Sequence, residues 1–121
     1  MTRFVIPALL VAASVAVYLP ALKFDFVMDD TRQIEMMESR FTWQQIPSYF
    51  TTDVWSYVDT RNSNYYRPIF VLWMMLTYQL AGLSHPLWHA SAILSHAGAT
   101  LLLYFLARRL TGESVSAESR P

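Results

Sequence analysis

A chain of 121 residues that is 54% hydrophobic and only 15% charged departs from an ordinary soluble domain, where roughly 25% of residues carry charge. Its nine basic and nine acidic residues cancel and lie scattered, which leaves no basic patch or stripe and excludes nucleic acid as a partner. It has no cysteine, so disulfides, thiolate metal ligands and cysteine nucleophiles are excluded too, and a mean hydropathy of +0.24 suits a chain solvated partly by lipid.

The first apolar run, Phe4 to Leu22, holds no charge. At 1.5 Å per residue its roughly 19 residues reach nearly the ~30 Å thickness of a bilayer's hydrocarbon core. Arg3 ahead of it also fits a secretory signal, but the run is long for one and Leu19-Pro20-Ala21 is a poor cleavage site. The loop from 23 to 67 carries most of the charge together with dense aromatics, a composition at home on a membrane interface.

Cap chemistry predicts two short amphipathic helices in this loop. Asp30-Thr31-Arg32-Gln33 reads as a capping box opening a helix from Thr31 to Ser39. Thr42-Trp43-Gln44-Gln45 opens a second toward Phe50, with Trp43, Ile46 and Phe50 on one face and Pro47 kinking or shortening it. Asp59 to Asn64 is a run of turn formers, expected to be irregular and wet.

Pro68 suits a first helical position, and the charge-free stretch to Leu83, with Gly82 as its stop, predicts a second span of about 16 residues, just under the usual minimum of ~17. His85-Pro86 restarts the chain, and Pro86 to Leu110 predicts a third span closed by Arg108-Arg109. On that helix His89, Ile93, His96 and Thr100 share a stripe beside Ser91, Ser95 and Gly98, a face expected to pack on protein or line a cavity.

The expected fold class is therefore all-α membrane: three transmembrane helices at 4–22, 68–83 and 86–110, an outer loop at 23–67, and a polar tail at 113–121. Three helices cannot enclose the polar stripe, so the chain reads as part of a larger multi-span bundle or as one needing a partner. Orientation is contradictory by the positive-inside rule, because Arg3 and Arg108-Arg109 fall on opposite sides of three spans.

Asp29 and Asp30 follow the first span directly, where partial desolvation and mutual repulsion suit a carboxylate to general-base work. The plainer alternative is that Asp30 caps the next helix while Asp29 is merely solvated. Arg67 lies just before a helix start, placed either to hold an anion or to snorkel and stack on Tyr65 or Tyr66. His85 and His89 have zinc-ligand spacing but lack a third ligand.

The order of motifs resembles one family. An apolar helix, Phe26 to Asp30, Phe50 to Trp55, Tyr66-Arg67-Pro68, Gly82-Leu83 and His89 with His96 together resemble the GT-C membrane glycosyltransferases, over about Tyr18 to Gly112. Within them the likeness is to the transmembrane-and-tetratricopeptide (TMTC) O-mannosyltransferases and their bacterial relatives. The resemblance implies the amino-terminal part of an enzyme of the bacterial inner membrane or the endoplasmic reticulum, with its first loop non-cytoplasmic. It implies inverting transfer from a polyprenyl-phosphate-linked sugar to a protein or glycan acceptor.

On that resemblance Asp29, with Asp30 beside it, is the catalytic base and Arg67 binds the donor phosphate. A divalent ion bridging Asp29 or Asp30 to the phosphate is a candidate cofactor. His89 and His96 belong to a candidate polar network, although relatives often carry Asn between these histidines where this chain has Ala92. The family's tetratricopeptide repeats and later helices are not among these 121 residues, so on the resemblance this stretch alone is expected to lack a complete site. The alternative function is a small non-catalytic membrane subunit that packs its polar third helix against a partner.

Expressed in membranes, the chain is expected to resist alkaline carbonate extraction, and a cysteine at Ser63 to be labelled by an impermeant thiol reagent in intact cells. Release into the soluble fraction would refute insertion, and labelling only after permeabilisation would reverse the orientation.

Overall fold

Helix is the only regular structure among the described residues, which in this computed structural model are 2–58 and 63–118. The turn expected at Asp59 to Asn62 and the end of the polar tail, 119–121, lie outside them. Helix α1 is Thr2–Tyr18, and Pro20, which has no N–H to continue the α ladder, follows where the chain tightens into a 3₁₀ segment, Leu19–Lys23. Helix α2 is a single turn, Ile46–Tyr49, α3 is Pro68–Ala81, and α4 is His85–Glu118.

Two segments are long and apolar enough to cross a membrane, Phe4–Lys23 with 20 residues and His85–Gly112 with 28. The second expected span ends earlier than its composition suggests. At 14 residues α3 rises only ~21 Å, against a hydrocarbon core of ~30 Å. Gly82 stops it with φ +55, a left-handed conformation natural to glycine, and the Gly82 N–H donates to the Tyr78 carbonyl at 2.8 Å. At the other end α4 runs on through Glu118, so most of the expected polar tail continues the helix.

The chain divides into two compact units, one from residues 1–22 and 89–121, the other Lys23–Trp88. In the first, the α1 and α4 side chains that stay exposed are chiefly apolar, among them Phe4, Leu9, Val17, Leu94, Leu102 and Leu103. Such surface is costly in water and suited to lipid. Polar hydroxyls on α4 turn inward on the helix itself: Ser95 donates to the Ser91 carbonyl at 2.8 Å and Thr100 to the His96 carbonyl at 2.9 Å. These bonds remove part of the penalty that the polar stripe would otherwise carry.

The second unit owns a core of its own. Met37, Phe41, Tyr49, Val71, Met74 and Met75 are fully buried, joined by Trp88. Val71, Met74 and Met75 at helical spacing form the inner face of α3, while Ile69, Leu76 and Leu80 stay exposed. The loop is locked to this core by long-range bonds. Gln79 donates to the Phe41 carbonyl at 2.7 Å and the Tyr49 hydroxyl to the Arg40 carbonyl at 2.5 Å. Burial raises the pKa of the Tyr49 phenol, with nearby Tyr57 adding to the effect.

Three local expectations are corrected. Asp30 is not an N-cap: its φ and ψ are already helical, its side chain bonds no N–H of the next turn, and it accepts instead from Val27 N–H behind it at 3.5 Å. The helix expected from Thr31 to Ser39 is a π-helical turn, Thr31–Glu35, followed by a 3₁₀ turn, Glu38–Arg40. The helix expected from Thr42 to Phe50 is a 3₁₀ turn, Trp43–Gln45, plus α2, and its inward residue is Tyr49, while Trp43 and Phe50 are exposed. The tight turns rotate the face away from a uniform 3.6-residue period.

Met75→Ala should destabilise this unit by about 2–5 kcal/mol, the range for a large-to-small core change. Leu80→Ala, at a position that is 89% exposed, should cost less than about 0.5 kcal/mol. Thermal midpoints in nanodiscs, read by tryptophan fluorescence, compare the two, and equal losses would show that α3 has no buried face.

Candidate functional site

The chain leaving the first apolar segment is fixed by its aromatics before it reaches the two carboxylates. Phe26 packs on the His85 ring at 4.2 Å and edge-on to Trp88 at 6.2 Å, while His85 Nδ1 lies 3.1 Å from the Asp25 carboxylate. Met28 then adopts φ +49, a left-handed conformation that costs a side-chain-bearing residue roughly 1–2 kcal/mol. The reversal starts a helical turn at Asp29, and the π-helical turn that follows carries Gln33.

Asp29 and Gln33 line a cleft of about 310 Å³ with Val54, Trp55, Tyr65, Arg67 and Phe70. Asp53, just before Val54 and Trp55, fixes the backbone that carries them. Its Oδ1 accepts the Trp55 N–H at 3.0 Å and the Ser56 N–H at 3.1 Å, and its carboxylate also accepts the hydroxyls of Ser56 and Ser63. These donors, the Ser56 and Ser63 hydroxyls foremost, lower the Asp53 pKa to about 2 against a smaller opposing desolvation. The Val54 N–H donates to the Tyr65 carbonyl at 3.0 Å and the Tyr66 hydroxyl to the Phe50 carbonyl at 2.9 Å, which brings the strand of chain before α3 alongside.

Arg67 is the residue before Pro68, the first of α3. Its guanidinium lies 5.0 Å from the centroid of the Tyr65 ring, so the stacking expected as one alternative is present. That contact engages the face of the cation, and no carboxylate pairs with Arg67 among the described residues. The Asp29 carboxylate and the Gln33 amide likewise bond no described side chain or backbone group. A carboxylate, a guanidinium and an amide thus share one cleft with their hydrogen-bonding capacity uncommitted.

The other site residues of the sequence fall elsewhere. Asp30 does not line this cleft. His89 and His96 line a separate one of about 330 Å³ in the other unit, with Tyr18, Ala21, Ala92 and Ile93, and His96 meets the Tyr18 ring edge-on at 5.1 Å. No group of three or more His, Asp or Glu side chains is placed to hold a metal ion among the described residues. Asp29 is the one carboxylate of the cleft lining, so a divalent ion there would take its remaining oxygen ligands from water or a donor phosphate.

Sequence reasoning missed Gln33, Trp55, Asp53 and the Asp25–His85 pair. Asp53 had a legible signal, since Asp followed by Ser three residues on is a turn-capping pattern. Gln33 was read as a capping partner only. Asp25 and His85 are 60 residues apart, and nothing local joins them.

Fold and site define a helical chain with two segments fit to cross a membrane and a polar, aromatic-walled cleft in the region between them in sequence. Over 104 residues, 84% of its length, the chain is 29% identical to the protein O-mannosyl-transferase TMTC2 of Mus musculus and, by the same measures, to that of Homo sapiens. It spans 12% of the length of these curated relatives, and the relationship is a distant TMTC-like one. No family model and no solved structure matches the chain.

Because folding lowers the Asp53 pKa, the stabilisation it gives the cleft wall is complete above the ordinary carboxyl value of ~3.9 and fades as pH falls toward about 2. A 5-fluorotryptophan resonance assigned to Trp55 should follow that titration, and Asp53→Asn should shift it already at neutral pH. A midpoint at the ordinary value would contradict the bonded carboxylate. The Ser63 hydroxyl belongs to this network, so a cysteine at the exposed Asn64 is the less disturbing topology reporter.

Proposed function

We propose that the chain is part of an integral-membrane glycosyltransferase of GT-C type that moves a sugar from a polyprenyl-phosphate carrier to an acceptor on the non-cytoplasmic side. The observation carrying this reading is the shared cleft of Asp29 and Arg67, both uncommitted to other described residues. The distant similarity to a protein O-mannosyl-transferase supports the reaction class. In this reading the loop 23–67 faces the non-cytoplasmic side, and α3 spans the membrane as a short helix whose buried face packs on protein.

The chemistry needs two complementary groups. An acceptor hydroxyl attacks the anomeric carbon, its proton passes to the Asp29 carboxylate, and the bond from that carbon to the phosphate oxygen breaks. The electron pair leaves with the lipid phosphate, whose growing negative charge the Arg67 guanidinium balances with two parallel N–H donors. The contact with Tyr65 restrains that guanidinium beside the cleft, so less order has to be imposed when the phosphate arrives. The free N–H groups at the start of α3 favour an anion at the same place.

Sugar transfer per inserted molecule, measured in native membranes at saturating donor, tests the roles. Arg67→Ala should lower turnover on the order of 100-fold or more, the scale of losing one preorganised electrostatic donor. Arg67→Lys should recover only part of it. Asp29→Asn should abolish turnover at unchanged abundance, while Asp30→Asn, whose side chain lies outside the cleft lining, keeps most of it. Equal turnover in the unmodified protein and the Arg67 and Asp29 variants would end both assignments.

A further inference from the structure

The Asp29 and Arg67 roles leave the third uncommitted polar group of the cleft without work. We infer that Gln33 recognises a hydroxyl of the transferred sugar, with Trp55 as the apolar wall against its ring, so that Gln33 is a specificity-determining residue. This inference rests on the lipid-linked sugar reading above.

Four observations carry it. Gln33 stands four residues after Asp29 within a π-helical turn, a rare conformation that concentrates at functional sites, and both residues line the same cleft. The turn is anchored by Ile34 and followed by fully buried Met37, so the amide is presented from a fixed element. An amide offers a donor and an acceptor together, which matches a hydroxyl that both gives and takes a proton, whereas Asp29 only accepts and Arg67 only donates. The cleft, at about 310 Å³, lies at the lower end of the ~300–1,000 Å³ range of small-molecule pockets, which suits one ring and its phosphate rather than a chain of sugars.

Trp55 is singled out among the aromatic walls by elimination. One face of the Tyr65 ring is taken by the Arg67 guanidinium, and Phe70 stacks on Trp73 at 5.7 Å with 23° between the planes. Trp55 makes no ring contact among the described residues, while its backbone is held by Asp53. Its indole is therefore the cleft aromatic that neither a described ring nor a described cation engages, available to the C–H face of a sugar.

The test is equilibrium binding to the chain in nanodiscs, with two probes, polyprenyl phosphate and polyprenyl-phosphate mannose. Gln33→Leu should weaken the sugar-bearing lipid about 3- to 10-fold, the effect of one neutral hydrogen bond, and leave the sugar-free lipid unchanged. Trp55→Ala should act in the same selective way, and Gln33→Asn, which keeps the neutral amide with its donor and acceptor, should lose less than Gln33→Leu. Arg67→Ala should weaken both probes. If the Gln33 variants bind both lipids as the unmodified chain does, or weaken both equally, the inference is overturned, and the lipid-sugar reading stands as long as Arg67→Ala weakens both. If the unmodified chain binds neither lipid, the reading itself fails and the inference falls with it.

Discussion

Trp88 is the side chain on which the arrangement of the loop unit depends. Its indole N–H donates to the Gly82 carbonyl at 2.7 Å and closes the corner between α3 and α4, while its ring meets Phe26, Phe41 and Trp73. Burying an aromatic of ~150–250 Å² at ~25 cal/mol per Å² is worth about 4–6 kcal/mol, and its hydrogen bond adds about 1. The neighbouring Asp25–His85 contact is largely exposed and contributes little by comparison. The corner and the chain segment leading to Asp29 are thus joined through packing, and the exposed pair only sets direction.

The stretch of the loop that carries Val54 and Trp55 into the cleft is held by a dense set of hydrogen bonds. Asp53 collects two backbone N–H groups and two hydroxyls, and the Val54–Tyr65 backbone bond fastens the two limbs of the loop. This arrangement is specific in geometry and rests on one ionised carboxylate, so it weakens in acid as that carboxylate is protonated.

Within the cleft lie polar groups that folding does not use. Asp29, Gln33 and Arg67 would each gain by bonding a neighbour, yet the positive φ at Met28, the π turn and the stacking on Tyr65 present them to the same space instead. Local strain and uncommitted donors are expected where a chain is shaped for a ligand rather than for stability alone. The histidine stripe of α4 follows another logic, its hydroxyl neighbours bonding back to their own helix.

Sequence alone determined the broad plan of this protein. Charge-free runs, Pro68 at a helix start and Gly82 at its end are signals carried by neighbouring residues, and two of the three runs form helices of membrane length while the middle one stops at 14 residues. Asp29 and Arg67 were legible as candidates because each sits at the margin of an apolar run. What the tertiary structure decided was which residues meet. Asp25 with His85, Phe41 with Trp88, and Asp29 and Gln33 with Trp55 and Arg67 join positions far apart in the chain, and no local pattern encodes their encounter. It also overruled the caps and faces of the loop helices, because burying Met37, Phe41 and Tyr49 in one core outweighs the ~1 kcal/mol that a capping side chain offers.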